Sequence, residues 1–260
     1  MALEPHDIVK LLALRKSHPE GRTALILGDC GFPFSRACLA DAAGDATLRR
    51  DEGPAALGDV AAALGFDRLD TIDLFGTPTI RFDLQSAAVP VDLRAQYDWV
   101  IDAGTLYCCF NVSRVMQNVL EMLKPSGLTF HLAGLVGYLG RGYYSLSPMF
   151  FHDFYRQNGF EILEMGVRLR PRSNGFRWYH AGLAGRVLRR LGHGPREHGW
   201  NAIGLNDSYV AAASATEISF TTSQSSHEPN VLPNNAMIMC VARRRSVAPF
   251  RDAVPGYFAG

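Results

Sequence analysis

Lysine is almost missing from this 260-residue chain: Lys10, Lys16 and Lys124 are the only ones among 26 basic residues, set against 25 acidic ones. The formal net charge of +1 leaves no global field that would gather nucleic acid or an anionic membrane surface, so neither is expected as a partner. The arginines crowd into the second half, notably Arg168 to Arg196 and Arg243 to Arg245. That pattern reads as an ordinary solvated face, or at most a local surface for an anion. Cysteine is scarce and unpatterned. Five residues, an odd number, with no pair of C-x-x-C motifs, argue against structural zinc and against a disulfide framework, and point to a reducing, cytoplasmic setting. No window approaches the roughly 18 uninterrupted apolar residues of a membrane span. The opening "MALEPHDIVKLLALRKSHPE" lacks the apolar run and small-residue end of a signal peptide.

What is present is an alternation of short elements. Ile8, Val9, Leu11, Leu12 and Leu14 are spaced among polar neighbours as in an amphipathic helix over residues 6–18. "TALILG", 23–28, is an apolar run closed by glycine, the pattern of a buried strand entering a turn. Pro33 and Ser35 suit the start of a helix and Gly44 its end, and Pro54 opens another over 53–66. Strands are expected over 68–76, 77–84 and 96–104, carrying Asp73, Asp83 and Asp102 towards their ends. A helix over 110–123 stops at "KPSG", a buried strand covers 127–135, and Ser147 with Pro148 starts a helix over 147–160. One more strand follows. After Arg170 the rhythm breaks into a stretch, 171–234, that reads as an insertion before a last strand, "AMIMCVARR". Strands alternating with helices predict an α/β chain, one domain over residues 1–260, with a doubly wound and mostly parallel sheet covered on both faces.

Two stretches in this order, "YDWVIDAGTLYCCFNVSRVMQNVLEMLKPSGL" and "GRGYYSLSPMFFHDFYRQNGFEI", resemble the class I S-adenosylmethionine-dependent methyltransferases. The likeness runs from Leu69 to Leu163. It implies a Rossmann-like sheet of seven strands with the last one antiparallel. It also implies that S-adenosylmethionine binds at the carboxyl ends of the first four strands, where open sheets of this kind hold their ligands. On that resemblance the turn of Gly28, Asp29 and Gly31 passes the methionyl part, and Asp73, with Leu74 beside it, accepts the ribose hydroxyls. Asp83 and Leu84 meet the adenine, and Asp102, Ala103 and Gly104 form the floor beneath the sulfonium. The chain departs from the pattern in three places. Ile26 stands where an acidic residue is usual before the first glycine, Tyr107-Cys108 where Glu-His is expected, and Arg141 where a histidine is common.

The implied activity is methyl transfer to oxygen or nitrogen of a small molecule, in the manner of specialised biosynthesis. The alternative is a protein of the same fold that has stopped transferring methyl groups and serves as a cyclase, a rearrangement enzyme or a scaffold. His131, Tyr143 and Tyr144 are the candidate catalytic groups, and Tyr107, Arg141 and His152 the candidate acceptor contacts. Arg141 would suit an acidic acceptor through paired donors. Plainer readings stand beside these. His131 lies in an apolar run and is equally a core histidine with its hydrogen bonds satisfied, His152 falls close to the packed side of its helix, and the strand-end aspartates are also good loop caps. Cys108 and Cys109 read as small buried hydrophobes rather than nucleophiles. The 171–234 stretch, with Trp178, Tyr179, His180, His193, His198 and Trp200, is either a lid over the substrate or a surface subdomain with a homodimer contact. No metal site is expected, since His193 and His198 lack acidic or cysteine partners.

Overall fold

Four consecutive apolar residues, Ala24 to Leu27, make β1 (Thr23–Leu27) a strand with no solvent-facing side, and it lies at the centre of the sheet. The computed structural model describes residues 2–48, 52–136, 138, 140–169, 236–247 and 249–254. The calls made on 171–234, including its histidines and aromatic residues, lie outside them. β1 pairs in parallel with β2 (Arg68–Asp73) on one side and β4 (Tyr97–Asp102) on the other. β3 (Ile80–Arg81) extends one edge, and β5 (Leu123–Val136), β7 (Ala236–Arg244) and β6 (Phe160–Leu169) extend the other. The order is β3-β2-β1-β4-β5-β7-β6, with β7 antiparallel to both neighbours. The β6–β7 ladder runs from Phe160 opposite Arg244 to Leu169 opposite Ala236. The end of β6 at Leu169 and the start of β7 at Ala236 therefore lie at the sheet edge that carries the ends of β1 to β5.

The two faces are covered by different helices. Along β4, Tyr97, Trp99 and Ile101 point one way. Trp99 meets Phe66 edge-on at 6.0 Å, and the Arg15 guanidinium of α1 (Pro5–Ser17) lies 4.6 Å above Phe66 and 5.5 Å above Trp99. A stacked cation of this kind contributes about 0.5–2 kcal/mol, which helps to hold α1 across the sheet. α1, α2 (Arg36–Ala43) and α3 (Leu57–Leu64) pack on one another there. Asp102 and its neighbour His131 point the other way, towards α5 (Pro148–Gln157). α4 (Val112–Met122) follows β4 and buries Val115, Met116, Val119 and Leu120, the stripe expected from its spacing.

Most expected elements are present, several with shorter limits, while β5 is longer than the expected 127–135. Ser35 caps α2 by accepting from Cys38 N at 3.2 Å, and Ser147 caps α5. The strand expected over 77–84 shrinks to Ile80–Arg81. Pro78 has no N–H to donate, and Thr79 uses its hydroxyl in place of ladder geometry, accepting from Thr71 N at 2.6 Å and donating to Thr71 O at 2.8 Å. Beyond Arg81, Asp83 folds the chain into a turn by accepting from Gln85 N at 2.9 Å and from the Ser86 hydroxyl at 2.5 Å. The helix expected from Pro54 begins three residues later, because Pro54 instead bridges to Ser35. "KPSG" ends α4 and is absorbed into the start of β5, with Ser126 at a positive φ of 64°.

Candidate active site at the carboxyl edge of the sheet

The turns after β1, β2 and β4 meet at one edge and are tied together by their own backbone. Gly28, at φ 92°, donates to Ile72 O at 2.7 Å, and this left-handed conformation brings the bare backbone of the turn to the edge. Asp29 N donates to Asp73 Oδ2 at 2.8 Å, and Phe75 N donates to Asp73 Oδ1 at 3.1 Å. The Asp29 carboxylate in turn accepts from Thr77 N at 3.0 Å. Gly31 lies exposed, and its carbonyl accepts from Leu3 N at 3.2 Å, so the N-terminal segment borders the turn.

An ionised carboxylate offers about four acceptor positions. Two at Asp73 are occupied by amides, one on each oxygen, which leaves one on each for a pair of vicinal hydroxyls. This half-buried carboxylate, beside a glycine turn that no Cβ obstructs, fits the ribosyl part of S-adenosylmethionine. Leu74 is 39 % exposed next to it, while the Leu84 side chain is buried in the core. At that end Asp83 and the Leu84 backbone remain open to the edge.

Asp102 is fully buried. Its Oδ1 accepts from the amides of Gly104 at 3.0 Å, Thr105 at 2.6 Å and Leu106 at 3.2 Å. The Thr105 hydroxyl donates to Leu27 O at 2.5 Å, fastening this turn to the end of β1. The carboxylate therefore fixes this turn from within, and the turn is shaped by the backbone at Ala103 and Gly104. Asp102 Oδ2 lies 3.0 Å from His131 Nδ1, and His131 Nε2 lies 2.5 Å from the Tyr155 hydroxyl. With Asp102 as the acceptor, Nδ1 carries the proton and Tyr155 donates to Nε2. Both ring nitrogens are used and all three residues are 0 % exposed. His131 is accordingly a core histidine with its hydrogen bonds satisfied, and its assignment as a base does not hold. Burial raises the Tyr155 phenol well above its ordinary pKa, so it stays protonated. His152 is 6 % exposed, with Nδ1 2.9 Å from Asp153 Oδ1, inside the packing of α5 rather than at the edge.

Two of the three departures from the resemblance, Tyr107-Cys108 and Arg141, touch one another. The Tyr107 carbonyl accepts from both Tyr143 N at 2.9 Å and Tyr144 N at 3.2 Å, and the Cys108 thiol donates to Arg141 O at 3.2 Å. Gly142 is required at its place, since a Cβ there would lie 2.4 Å from Tyr107 Cδ2. Tyr107 is nearly buried and packs edge-on against Tyr138 at 5.5 Å. Burial raises its pKa to about 12, so it is neutral at physiological pH. Burial and nearby Asp102 raise the Cys109 thiol to about 12 as well, and the Cys108 thiol is also raised, first by burial. Neither cysteine has thiolate character.

Phe110 was missed from the sequence. It is 70 % exposed, and its ring lies 5.6 Å from Tyr143 and 6.5 Å from Tyr144. Its signal was its position just before the cap of α4, where a large apolar side chain has no helix face to bury against.

No family model matches the chain, and no curated protein matches it. Solved structures similar to it include an S-adenosylmethionine-dependent methyltransferase from Mesorhizobium loti, at 12 % identity over 91 % of this chain and 98 % of that one, with a TM-score of 0.44. The cyclase SpnF is similar at 17 % identity over 94 % of this chain and 81 % of its own, with a TM-score of 0.41. A phosphoethanolamine N-methyltransferase of Haemonchus contortus, solved with S-adenosylhomocysteine, gives 12 %, 91 %, 53 % and 0.43 in the same order. The topology itself is specific: a sheet ordered β3-β2-β1-β4-β5-β7-β6 with only β7 reversed among the described strands is the Rossmann-like fold of the class I S-adenosylmethionine-dependent methyltransferases.

Proposed function

We propose that this protein transfers a methyl group from S-adenosylmethionine to an oxygen or nitrogen of a small-molecule acceptor. The observation that carries it is Asp73: a half-buried carboxylate at the end of β2, held by the Asp29 and Phe75 amides, with acceptor capacity left for two hydroxyls. When bound, the cofactor supplies an activated methyl on sulfonium. The chain's own residues bind and align. Gly28 and Asp29 border the methionyl side, and the backbone at Ala103 and Gly104, fixed by Asp102, sets the floor. Among the described residues no histidine with a free ring nitrogen faces this edge, so alignment of an already nucleophilic acceptor supports catalysis more than proton removal does. The exposure of Tyr143 and Tyr144 supports a contact to the acceptor there.

Calorimetric titration with S-adenosylmethionine and S-adenosylhomocysteine tests this. Micromolar binding that Asp73→Ala weakens at least tenfold is expected, and no binding at millimolar ligand would sink the reading. A second reading, a protein of this fold that binds the cofactor without transferring methyl, is favoured by Ile26. It is fully buried where an acid for the methionyl amino group is usual. Binding without turnover over a broad panel of phenols, acids and amines would select that alternative.

A further inference from the structure

We propose that Phe110, Tyr143 and Tyr144, together with Arg141, form the acceptor subsite, and that it takes a planar aromatic ring bearing an anionic group. This rests on the reading of the carboxyl edge as a methyltransferase site and specifies its substrate class.

The three rings form an open corner. Phe110 meets Tyr143 at an interplanar angle of 87°, and Tyr143 and Tyr144 are tilted by 58° with centroids 6.5 Å apart. Phe110 and Tyr143 are 70 % and 68 % exposed, and Tyr144 is 38 % exposed. Leaving such a side chain in water forfeits the stabilisation of burial, and here two largely exposed rings and a third partly exposed one are grouped. Their backbones are nonetheless pinned. Phe110 N donates to Gln85 Oε1 at 2.6 Å, the Tyr144 hydroxyl donates to Phe110 O at 2.9 Å, and both tyrosine amides are held by the Tyr107 carbonyl. Rings held in place with their surfaces open are pre-organised for a flat partner, which fills an edge-on corner better than a puckered one does.

Charge decides the second property of the ligand. An aromatic corner alone would also suit a cation. Arg141 argues against that: its side chain is exposed and makes no hydrogen bond or ion pair among the described residues, and its positive charge acts on Tyr107, which anchors the corner. A positive charge within several ångströms near a protein surface repels a cation and favours a carboxylate or phosphate. The location completes the case. The Cys108 thiol contacts Gly104 O at 3.6 Å and Arg141 O at 3.2 Å, so a single side chain spans from the floor of the cofactor site to the subsite.

Saturation-transfer NMR and calorimetry with three small probes test the proposal. 4-Hydroxybenzoate is planar and anionic, cyclohexanecarboxylate is anionic and puckered, and benzylamine is planar and cationic. The first is expected to bind at least tenfold more tightly than the other two, and Phe110→Ala and Arg141→Gln should each reduce that binding about tenfold. S-adenosylhomocysteine titrated into the same preparations reports the cofactor site independently. Equal binding of the puckered acid or of the amine, or variants that bind 4-hydroxybenzoate as the parent does, would overturn the subsite. Loss of S-adenosylhomocysteine binding in the parent, with 4-hydroxybenzoate still bound as expected, would overturn the cofactor reading and leave the subsite standing.

Discussion

His131 Nδ1 lies 3.0 Å from Asp102 Oδ2, with neither residue exposed, while the other oxygen of the same carboxylate gathers three backbone amides. Removing this carboxylate leaves the His131 N–H and three backbone amides buried without their acceptor, each at a cost of about 1–3 kcal/mol. Asp102→Ala should therefore destabilise the protein by several times the cost of one such loss, on the order of 3–5 kcal/mol, in urea unfolding. Tyr155→Phe, which strips only the far hydroxyl and leaves Nε2 unsatisfied, should cost about 1–3 kcal/mol. A neutral Tyr155→Phe would show that the phenol does not hold the imidazole.

Gly142→Ala probes the clamp on the aromatic run. Its Cβ would sit 2.4 Å from Tyr107 Cδ2 and 2.7 Å from Tyr107 O, so the segment must lift away from Tyr107. The expected outcome is weaker binding of aromatic acids with S-adenosylhomocysteine affinity within twofold of the parent. Calorimetry on the purified variant reads both, and unchanged acid binding would mean the clamp is not needed.

Acidification should destabilise the fold well before the carboxylates titrate. Burial lowers the pKa of His152, outweighing Asp153, and burial together with Arg243 lowers that of His18, whose Nδ1 accepts from the Arg243 guanidinium at 2.8 Å. A depressed folded pKa gives stability that is complete above the unfolded value of about 6.5 and is lost as pH falls towards the folded one. The lowered carboxylates Asp83 and Asp98 act only below about pH 4. Unfolding free energy should thus decline between pH 7.5 and 5, and the slope should flatten in His152→Gln and His18→Gln. A parent profile that is level across this interval would contradict the assignment.

Cys108 and Cys109 should alkylate slowly in the native protein at pH 7.5, because both thiols are raised and Cys109 is also buried. Mass spectrometry after a timed iodoacetamide pulse checks this against the unfolded chain. Rapid modification of Cys109 in the folded state would restore it as a candidate nucleophile.

The strand-end series was legible because burial and turn chemistry are written locally. "TALILG" marks a strand and its turn without help from the rest of the chain, and Ser35 and Ser147 announce their helices. His131 was not decidable from local pattern, since a histidine in an apolar strand satisfies its nitrogens through partners 29 and 24 residues away. The brevity of β3 was hidden for the same reason: Thr79 had to meet Thr71 before its hydroxyl could replace a ladder bond. Phe110 escaped because exposure of a large ring runs against the usual tendency, and only the neighbouring Tyr143 and Tyr144 give it a role.

Leu169 and Ala236 are direct partners across the last rung of the β6–β7 ladder, although 66 residues separate them along the chain. Loop-closure entropy grows only with the logarithm of length, about 0.6 kcal/mol for each doubling, so a rung fixed by the sheet tolerates almost any span of chain between its ends. The β6–β7 ladder is in this sense a socket: segments of very different length can join Leu169 to Ala236 while the strands keep their register.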